Sequence, residues 1–259
     1  MILLTNGDSW TQGDSPAQTL NWEAKKTLDW YDIVPFFGNF YTHSSYGKID
    51  PQESTRVLYK FYDSNVWPKV LGRKLGVETW NAGRLGDSNH DIANTTIQSC
   101  EWLRNQGKKD IFAVIGWTSK IRVPIYTVSE DGSEVSTKQQ RPDKYEAANE
   151  VYKRFNYIQN EFLQYVLSLQ NYFKVNNIDY LMFNAFDPFE DFNVHFLSNA
   201  IDKTKWINNT VSPAHFKEYI FQKRNLKNWE ESPYFITCHP RDNAHIDWGN
   251  YLYNYIQSL

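Results

Sequence analysis

Four short hydrophobic segments, separated by polar and helical stretches, predict the core strands of this chain. They are Ile2 to Asn6, Val77 to Asn81, Ile111 to Ile115 and Ile178 to Phe183. The third segment is apolar throughout, which is typical of a strand that is covered on both faces. Apolar residues at helical spacing predict helices over 67–75, 92–106, 147–173 and 244–259. Strands that alternate with helices indicate a parallel sheet with helices packed on it.

We therefore expect a three-layer α/β/α sandwich with a flavodoxin-like parallel sheet. The absence of repeats and of an evident linker favours a single domain over residues 1–259. Three segments read as insertions in that domain, Pro35 to Asp63, Lys120 to Asp143 and Asp187 to Pro233. Within the second insertion, two short segments around a Glu-Asp-Gly turn predict a small hairpin or flap.

Aromatic residues make up 17% of the chain, which is more than a core of this size usually needs. Some rings are therefore expected to line a groove or an interface. The aromatic insertions fit a platform on which sugar rings stack, and they fit a protein interface equally well. Trp10 and Trp117 either wall a pocket or pack in the core.

Charge and cysteine content exclude several classes of protein. The net charge is −3, with 27 Lys and Arg against 30 Asp and Glu and no basic run, so nucleic acid is not an expected partner. Cys100 and Cys238 suggest neither a disulfide framework nor a metal site, and no cofactor is expected. Without a signal peptide or an apolar run of about 20 residues, the chain reads as a cytoplasmic protein that does not enter membranes.

Small polar residues follow the predicted strands. Gly7-Asp8-Ser9 comes after the first, a stretch from Asn81 to Asn89 after the second, and Gly116 to Ser119 after the third, while His239 precedes the last helix. A parallel sheet brings such loops to one edge. Together they offer a hydroxyl nucleophile, glycine N–H groups and an imidazole, which are the parts that acyl transfer needs. On its own, Ser9 reads equally well as a helix cap.

These four blocks, in this order, resemble those of the SGNH hydrolase family, also called GDSL-like esterases. Gly7-Asp8-Ser9 is similar to the nucleophile block, and Gly86 to the glycine block. Gly116-Trp117-Thr118 stands where the family has Gly-x-Asn, and His239-Pro240 is similar to the start of the terminal histidine block. The sequences Gly116-Trp117-Thr118-Ser119 and Ser88-Asn89-His90-Asp91-Ile92 resemble a bacteriophage subgroup, which implies association with a virion as an alternative location.

The resemblance implies a role for each block. Ser9 attacks an ester carbonyl, and His239 is the general base that later protonates the leaving alkoxide. The N–H groups of Ser9 and Gly86 form the oxyanion hole, with Thr118 as the third donor. Gly86 as an ordinary loop glycine remains the alternative, and no metal is implied.

Two positions depart from the family pattern. Thr118 stands in place of the family's Asn, and Ser119 and Asn89 are the alternative candidates to supply the hydrogen-bond donor of that Asn. Ile236 stands where the family has the Asp that orients the catalytic histidine. A backbone carbonyl takes that role in a Ser-His dyad, or an Asp from an insertion (187 or 191) completes a triad.

Other polar residues near these blocks have structural interpretations. Asp242 and His245 form an Asp-x-x-His pattern, but His245 lies on the apolar face of the last helix, where a structural histidine is the simpler interpretation. Asp8 is expected to hydrogen-bond the backbone of its turn. Three other histidines, His90, His195 and His215, are interpreted as solvated loop residues.

Taken together, the sequence predicts a serine esterase that hydrolyses an O-acyl ester of a small molecule or glycan, with an O-acetylated carbohydrate as the narrower hypothesis. A binding or structural virion protein that retains the fold with weakened chemistry is the competing hypothesis, with a protein partner at the aromatic insertions. A thioesterase or lysophospholipase is a third.

Overall fold

The computed structural model describes residues 1–12, 65–84, 87–119, 122–128, 135–140, 157–186, 196–207, 215–228, 233–236 and 239–259. The predicted insertion at 35–63 lies outside these ranges. So do Gly86, Cys238, the first part of the helix predicted at 147–173, and the residues Asp187, Asp191 and His195.

Four parallel strands form the central sheet, in the order β2-β1-β3-β6. Their bounds are Ile2–Asn6 (β1), Glu78–Asn81 (β2), Ile111–Trp117 (β3) and Asp179–Asn184 (β6). The strand that follows β1 in the chain, β2, lies on one side of it, and β3 lies on the other side. The strand order therefore reverses between β1 and β3. In open α/β sheets, ligands bind outside the carboxyl ends of the strands at such a reversal.

Helices cover both faces of the sheet. In chain order they are Ser9–Gln12 (α1), Trp67–Leu75 (α2), Asn89–Asn105 (α3), Tyr157–Val175 (α4), Phe216–Arg224 (α5) and Asp242–Gln257 (α6). α3 and α4 pack on one face, where their apolar residues join Ile2 and Leu4 in one core cluster. α2, α5 and α6 pack on the other face around Leu3. The alternation of Leu3 with its neighbours divides the core in two, and the predicted α/β/α sandwich is confirmed.

Local sequence explains where the central helices begin and end. α2 carries Pro68 in its first turn and stops at Gly76, whose φ of 68° suits glycine. α3 begins with a capping box, in which the Ser88 and Asp91 side chains each accept from the other residue's backbone N–H. Gly249 lets α6 approach α2 closely, because a Cβ there would lie 2.7 Å from Val70.

The second predicted insertion contains the expected hairpin. Val123–Val128 (β4) and Val135–Gln140 (β5) pair in antiparallel fashion. A second small antiparallel pair, Phe235–Ile236 (β7) with His239–Pro240 (β8), precedes α6.

The described part of 187–233, which the sequence predicts to be an aromatic insertion, contains regular structure. Two 3₁₀ turns, Phe196–Ala200 and Lys203–Lys205, and the helix α5 occur there. Trp206, Phe216 and Ile220 from this segment are buried in the core. The rings of Trp206 and Phe216 therefore pack in the core, and rings that fill a core also raise the aromatic content.

The burial and position of two tryptophans and two histidines distinguish between the interpretations that the sequence offers for them. Trp10 and Trp117 are 1% and 0% exposed, so core packing, not pocket lining, explains both. His215 is buried and caps α5, where its ring nitrogen accepts the Glu218 N–H, so its prediction as a solvated loop residue is wrong. His90 lies in the first turn of α3 and not in a loop.

Within the described ranges, every helix is too short or too polar to cross a membrane.

Candidate functional site

The carboxyl end of β1 runs directly into the Gly7-Asp8-Ser9 turn, and α1 begins at Ser9. Gly7 is packed tightly against the end of β3, because a Cβ on Gly7 would lie 2.7 Å from the carbonyl oxygen of Gly116. A side chain at position 7 would force the two strand ends apart. The glycine therefore lets the turn that carries Ser9 sit at the point where the strand order reverses.

Asp8 is fully buried, and among the described residues three donors bond its carboxylate. One oxygen accepts the backbone N–H of Trp10 at 3.0 Å. The other accepts the hydroxyl of Thr118 at 2.7 Å and a guanidinium N–H of Arg122 at 3.0 Å. Asp8 does bond the backbone of its own turn, as expected, and it also joins the ends of β1 and β3.

Asn89 ties the start of α3 to the same point. Its side-chain oxygen accepts the backbone N–H of Thr118 at 3.0 Å, and its amide nitrogen donates to the carbonyl of Thr118 at 3.3 Å and of Ser119 at 3.5 Å. Asp8, Thr118 and Asn89 form a continuous hydrogen-bonded chain, which we call the Asp8–Thr118–Asn89 bridge. It joins three of the four sequence blocks.

The bridge also bears on Thr118 and Asn89, which the sequence offers in place of the amide donor of the SGNH family's Asn. The single hydroxyl proton of Thr118 is directed at Asp8, and the amide hydrogens of Asn89 are directed at backbone carbonyls. In this arrangement both side chains hold the site together. Ser119 is half-buried beside them, with its carbonyl accepting the backbone N–H of Arg122 at 3.1 Å.

The loop after β2 is fastened to the nucleophile turn by backbone hydrogen bonds. Ala82 donates to the carbonyl of Thr5 and Arg84 donates to the carbonyl of Gly7. On the other side of β1, the buried amide of Asn6 donates to Thr95 and Thr96 of α3, each at 2.8 Å. The turn before Ser9 is thus held from both sides.

Asp87 adds a buried carboxyl group to this edge. Arg84 donates to it from Nε at 3.3 Å. Burial nevertheless raises the pKa of Asp87 to about 7, since desolvation outweighs the attraction of the Arg84 guanidinium. This group therefore keeps its proton to a higher pH than an exposed aspartate does.

His239 lies at the start of β8, half-buried, and α1 packs against β8. The segment with Ser9 therefore lies beside the segment with His239, although 230 positions separate these residues. Across the β7–β8 pair, Ile236 is the direct partner of His239. The position of the family's Asp is thus next to the histidine in space, and its residue has no polar side chain.

His245 is a core residue. It is fully buried, and one ring nitrogen accepts the backbone N–H of Trp67 at 3.3 Å. Burial lowers the pKa of His245 to about 3, with a smaller contribution from nearby His239. The ring is neutral at ordinary pH and supports the fold beneath His239. Asp242 lies in the first turn of α6, where burial raises its pKa despite a hydrogen bond with Asn65.

The structure thus gathers Asp8, Thr118, Asn89 and Ser119 at the carboxyl edge, together with the turn of Ser9, and it brings α1 beside His239. It does not describe Gly86 or the side chain of Ser9. Sequence reasoning missed Asn6, Asp87 and Arg122, and only the proximity of Asp87 and Arg122 to the blocks could have signalled them. Among the described residues, no group of three or more His, Cys, Asp or Glu side chains is arranged to hold a metal ion.

Comparison with known proteins gives one family match. The model of a family of unknown function (DUF6071) matches residues 48–214, a range that contains the second and third blocks but neither Ser9 nor His239. No curated protein matches the chain. A solved structure from Desulfitobacterium hafniense DCB-2, described as a candidate lipolytic protein of the G-D-S-L family, aligns over 98% of both chains with 11% identity and a TM-score of 0.40. A TM-score this low supports no argument about the present chain.

Proposed function

The chain belongs to the family of unknown function DUF6071, and from the geometry of its sheet edge we propose that it is a serine esterase of the SGNH type. Its substrate is an O-acyl ester of a small molecule or glycan, with an O-acetylated carbohydrate as the specific candidate. Ser9 is the nucleophile and His239 the general base.

The Asp8–Thr118–Asn89 bridge carries this proposal. Three segments that the sequence separates widely are hydrogen-bonded to one another at the carboxyl edge of a parallel sheet. The edge lies at the reversal of strand order, where this class of sheet binds ligands. The same edge has α1, which starts at Ser9, packed against the strand of His239.

The proposed reaction proceeds in two halves. Ser9 Oγ attacks the ester carbonyl carbon while its proton passes to the imidazole of His239, and the carbonyl electron pair moves to the oxygen. The C–O bond to the alcohol then breaks, and the alkoxide takes the proton from His239. Water repeats these steps on the acyl-serine, releases the carboxylic acid and restores Ser9.

Oxyanion stabilisation is assigned to backbone groups. The N–H of Ser9 stands at the first turn of α1, and Gly86 supplies a second N–H in the proposal. Thr118 holds Asp8 through its hydroxyl, so its contribution is to fix the turn rather than to donate to the oxyanion. With Ile236 opposite His239, orientation of the imidazole falls to a backbone carbonyl or to an Asp of the 187–195 segment.

A second candidate follows from the same two positions. The hydroxyl of Thr118 is committed to Asp8, and Ile236 offers no acceptor to His239. A protein that keeps the SGNH-type fold and binds glycans or a virion partner without turnover fits these features.

The test is hydrolysis of p-nitrophenyl acetate by wild-type protein and by Ser9→Ala, His239→Gln and Ser258→Ala. We expect the first two variants to lose at least about 10³-fold in kcat, because they remove the nucleophile and the base. Ser258→Ala, at the exposed end of α6, serves as the matched control. Turnover that survives Ser9→Ala would contradict the role of Ser9 as the nucleophile. The absence of turnover from wild-type protein between pH 6 and 9 would favour the binding function.

A further inference from the structure

Two arginines flank the nucleophile turn from opposite sides. Arg84, after β2, donates its backbone N–H to the carbonyl of Gly7, and its side chain pairs with Asp87. Arg122, after β3, donates from its guanidinium to Asp8. The chain as a whole is acidic, with a net charge of −3, so this pair of cations does not reflect a generally basic surface.

Arg122 is partly exposed although its partner is buried. Its side chain is 27% exposed, whereas the carboxylate it contacts is 0% exposed. The guanidinium also lies over the ring of Phe186, with its carbon 5.3 Å from the ring centroid. A planar cation held by a buried carboxylate on one edge and an aromatic face on another has little freedom to turn. A guanidinium has five N–H donors, and a single oxygen of Asp8 occupies one of them.

The charge on Asp8 needs a cation whether or not a substrate is present. A single N–H of Arg122 is enough to pair with Asp8, because Thr118 and Trp10 already donate to the same carboxylate. The guanidinium of Arg122 contacts Asp8, the residue before Ser9, so its remaining donors lie near the nucleophile turn. Their fork geometry matches the two oxygens of a carboxylate.

We propose that Arg122 binds a carboxylate on the substrate. The site then acts on acyl esters of alcohols that also carry a carboxylate, such as an acylated sugar acid. This inference rests on the proposed esterase function.

The experiment compares two acetate esters that differ in one charge, 4-acetoxybenzoate and 4-acetoxybenzamide. Arg122→Lys retains a cation for Asp8 but loses the bidentate fork, and Arg122→Gln loses both. We expect both variants to raise KM for 4-acetoxybenzoate more than KM for the amide, so that the ratio of the two KM values rises about tenfold or more, the typical effect of losing one hydrogen bond to a charged group. The ratio is the readout because both variants also change the partner of Asp8. Arg104→Lys and Arg104→Gln are the matched controls, since Arg104 lies at the far end of α3 and pairs with Glu101.

Binding separates this inference from the esterase proposal. Calorimetric titration of the Ser9→Ala variant with the product 4-hydroxybenzoate measures carboxylate binding without turnover. The inference holds if Arg122→Lys in that background weakens 4-hydroxybenzoate binding about tenfold while thermal unfolding shows a folded protein. It is overturned if wild-type protein shows no preference for the charged ester or its product, or if Arg122→Lys affects the charged and neutral compounds equally. Turnover of either ester by Ser9→Ala refutes the esterase proposal alone.

Discussion

The hydroxyl of Thr118 donates a 2.7 Å hydrogen bond to the carboxylate of Asp8, across 110 positions of sequence. Both residues are buried at the ends of neighbouring strands. The bond therefore fixes the turn before Ser9 relative to the end of β3. It also explains how a threonine at this position can serve the site without contacting a substrate.

Thr118→Val should destabilise the protein by about 1.5–3 kcal/mol, because it removes a hydrogen bond to a buried charged group while keeping the side-chain shape. Urea unfolding of the two proteins measures the difference. Thr118→Ser keeps the hydroxyl and is the control, with a much smaller loss expected. Equal losses for Val and Ser would show that the methyl packing of Thr118, and not its hydroxyl, matters.

Asn89→Ala should cost about 1–3 kcal/mol, since it leaves the buried N–H and carbonyl of Thr118 without their side-chain partner. Asn94→Ala tests the same substitution at an exposed position of α3, where a change within about 0.5 kcal/mol is expected. Denaturant midpoints at one pH provide the comparison. Similar values for the two variants would contradict the role assigned to the bridge.

Asp87 should make stability depend on pH. Its pKa rises from 3.8 to about 7 on folding because the carboxyl is buried, so the folded protein binds the proton more tightly than the unfolded chain. The stability gained from this proton is complete below pH 3.8 and is lost as pH rises through 7. Asp87→Asn should remove this loss, and its stability relative to wild-type protein should rise by a few kcal/mol, roughly, between pH 4 and 8.

Unfolding curves at several pH values test this dependence, with Asp179→Asn as the control, since Asp179 is 87% exposed. A constant difference between Asp87→Asn and wild-type protein across the range would mean that the buried carboxyl does not hold its proton.

His245 should remain neutral across the physiological range. Burial lowers its pKa to about 3, whereas the pKa of His90 is raised above 6.5, first through its hydrogen bond with Asp91. NMR titration of the ring C–H signals should show His90 titrating above pH 6.5 and His245 unchanged down to about pH 4. A His245 midpoint near 6.5 would contradict its burial, and would reopen its candidacy as the catalytic base.

The sheet was predictable because each strand is a short apolar segment bounded by polar residues. β1 has the predicted bounds. β2 begins one residue later than predicted, β3 ends two residues later, and β6 is shifted by one residue at both ends, because hydrophobic pattern locates a strand but does not fix its terminal residues. α5 was missed because its short sequence, Phe216–Arg224, has only two buried positions and therefore little helical periodicity.

The polar framework of the site was less predictable. Asp8, Thr118, Asn89 and Ser119 were candidates through the resemblance, but the partner of each polar atom depends on the tertiary contact between strand ends. The burial that raises the pKa of Asp87 and the approach of Arg122 to Asp8 leave no periodic pattern in sequence. Long-range hydrogen bonds of this kind follow from the fold and cannot be read before it.

Labelling with a fluorophosphonate, followed by peptide mass spectrometry, tests the central claim most directly, because this reagent reacts with an activated serine and reports its position. The account predicts one adduct per chain, on Ser9, that is abolished by Ser9→Ala and strongly slowed by His239→Gln. An adduct on another serine, or full labelling of Ser9→Ala, would contradict the assignment of Ser9 as the nucleophile.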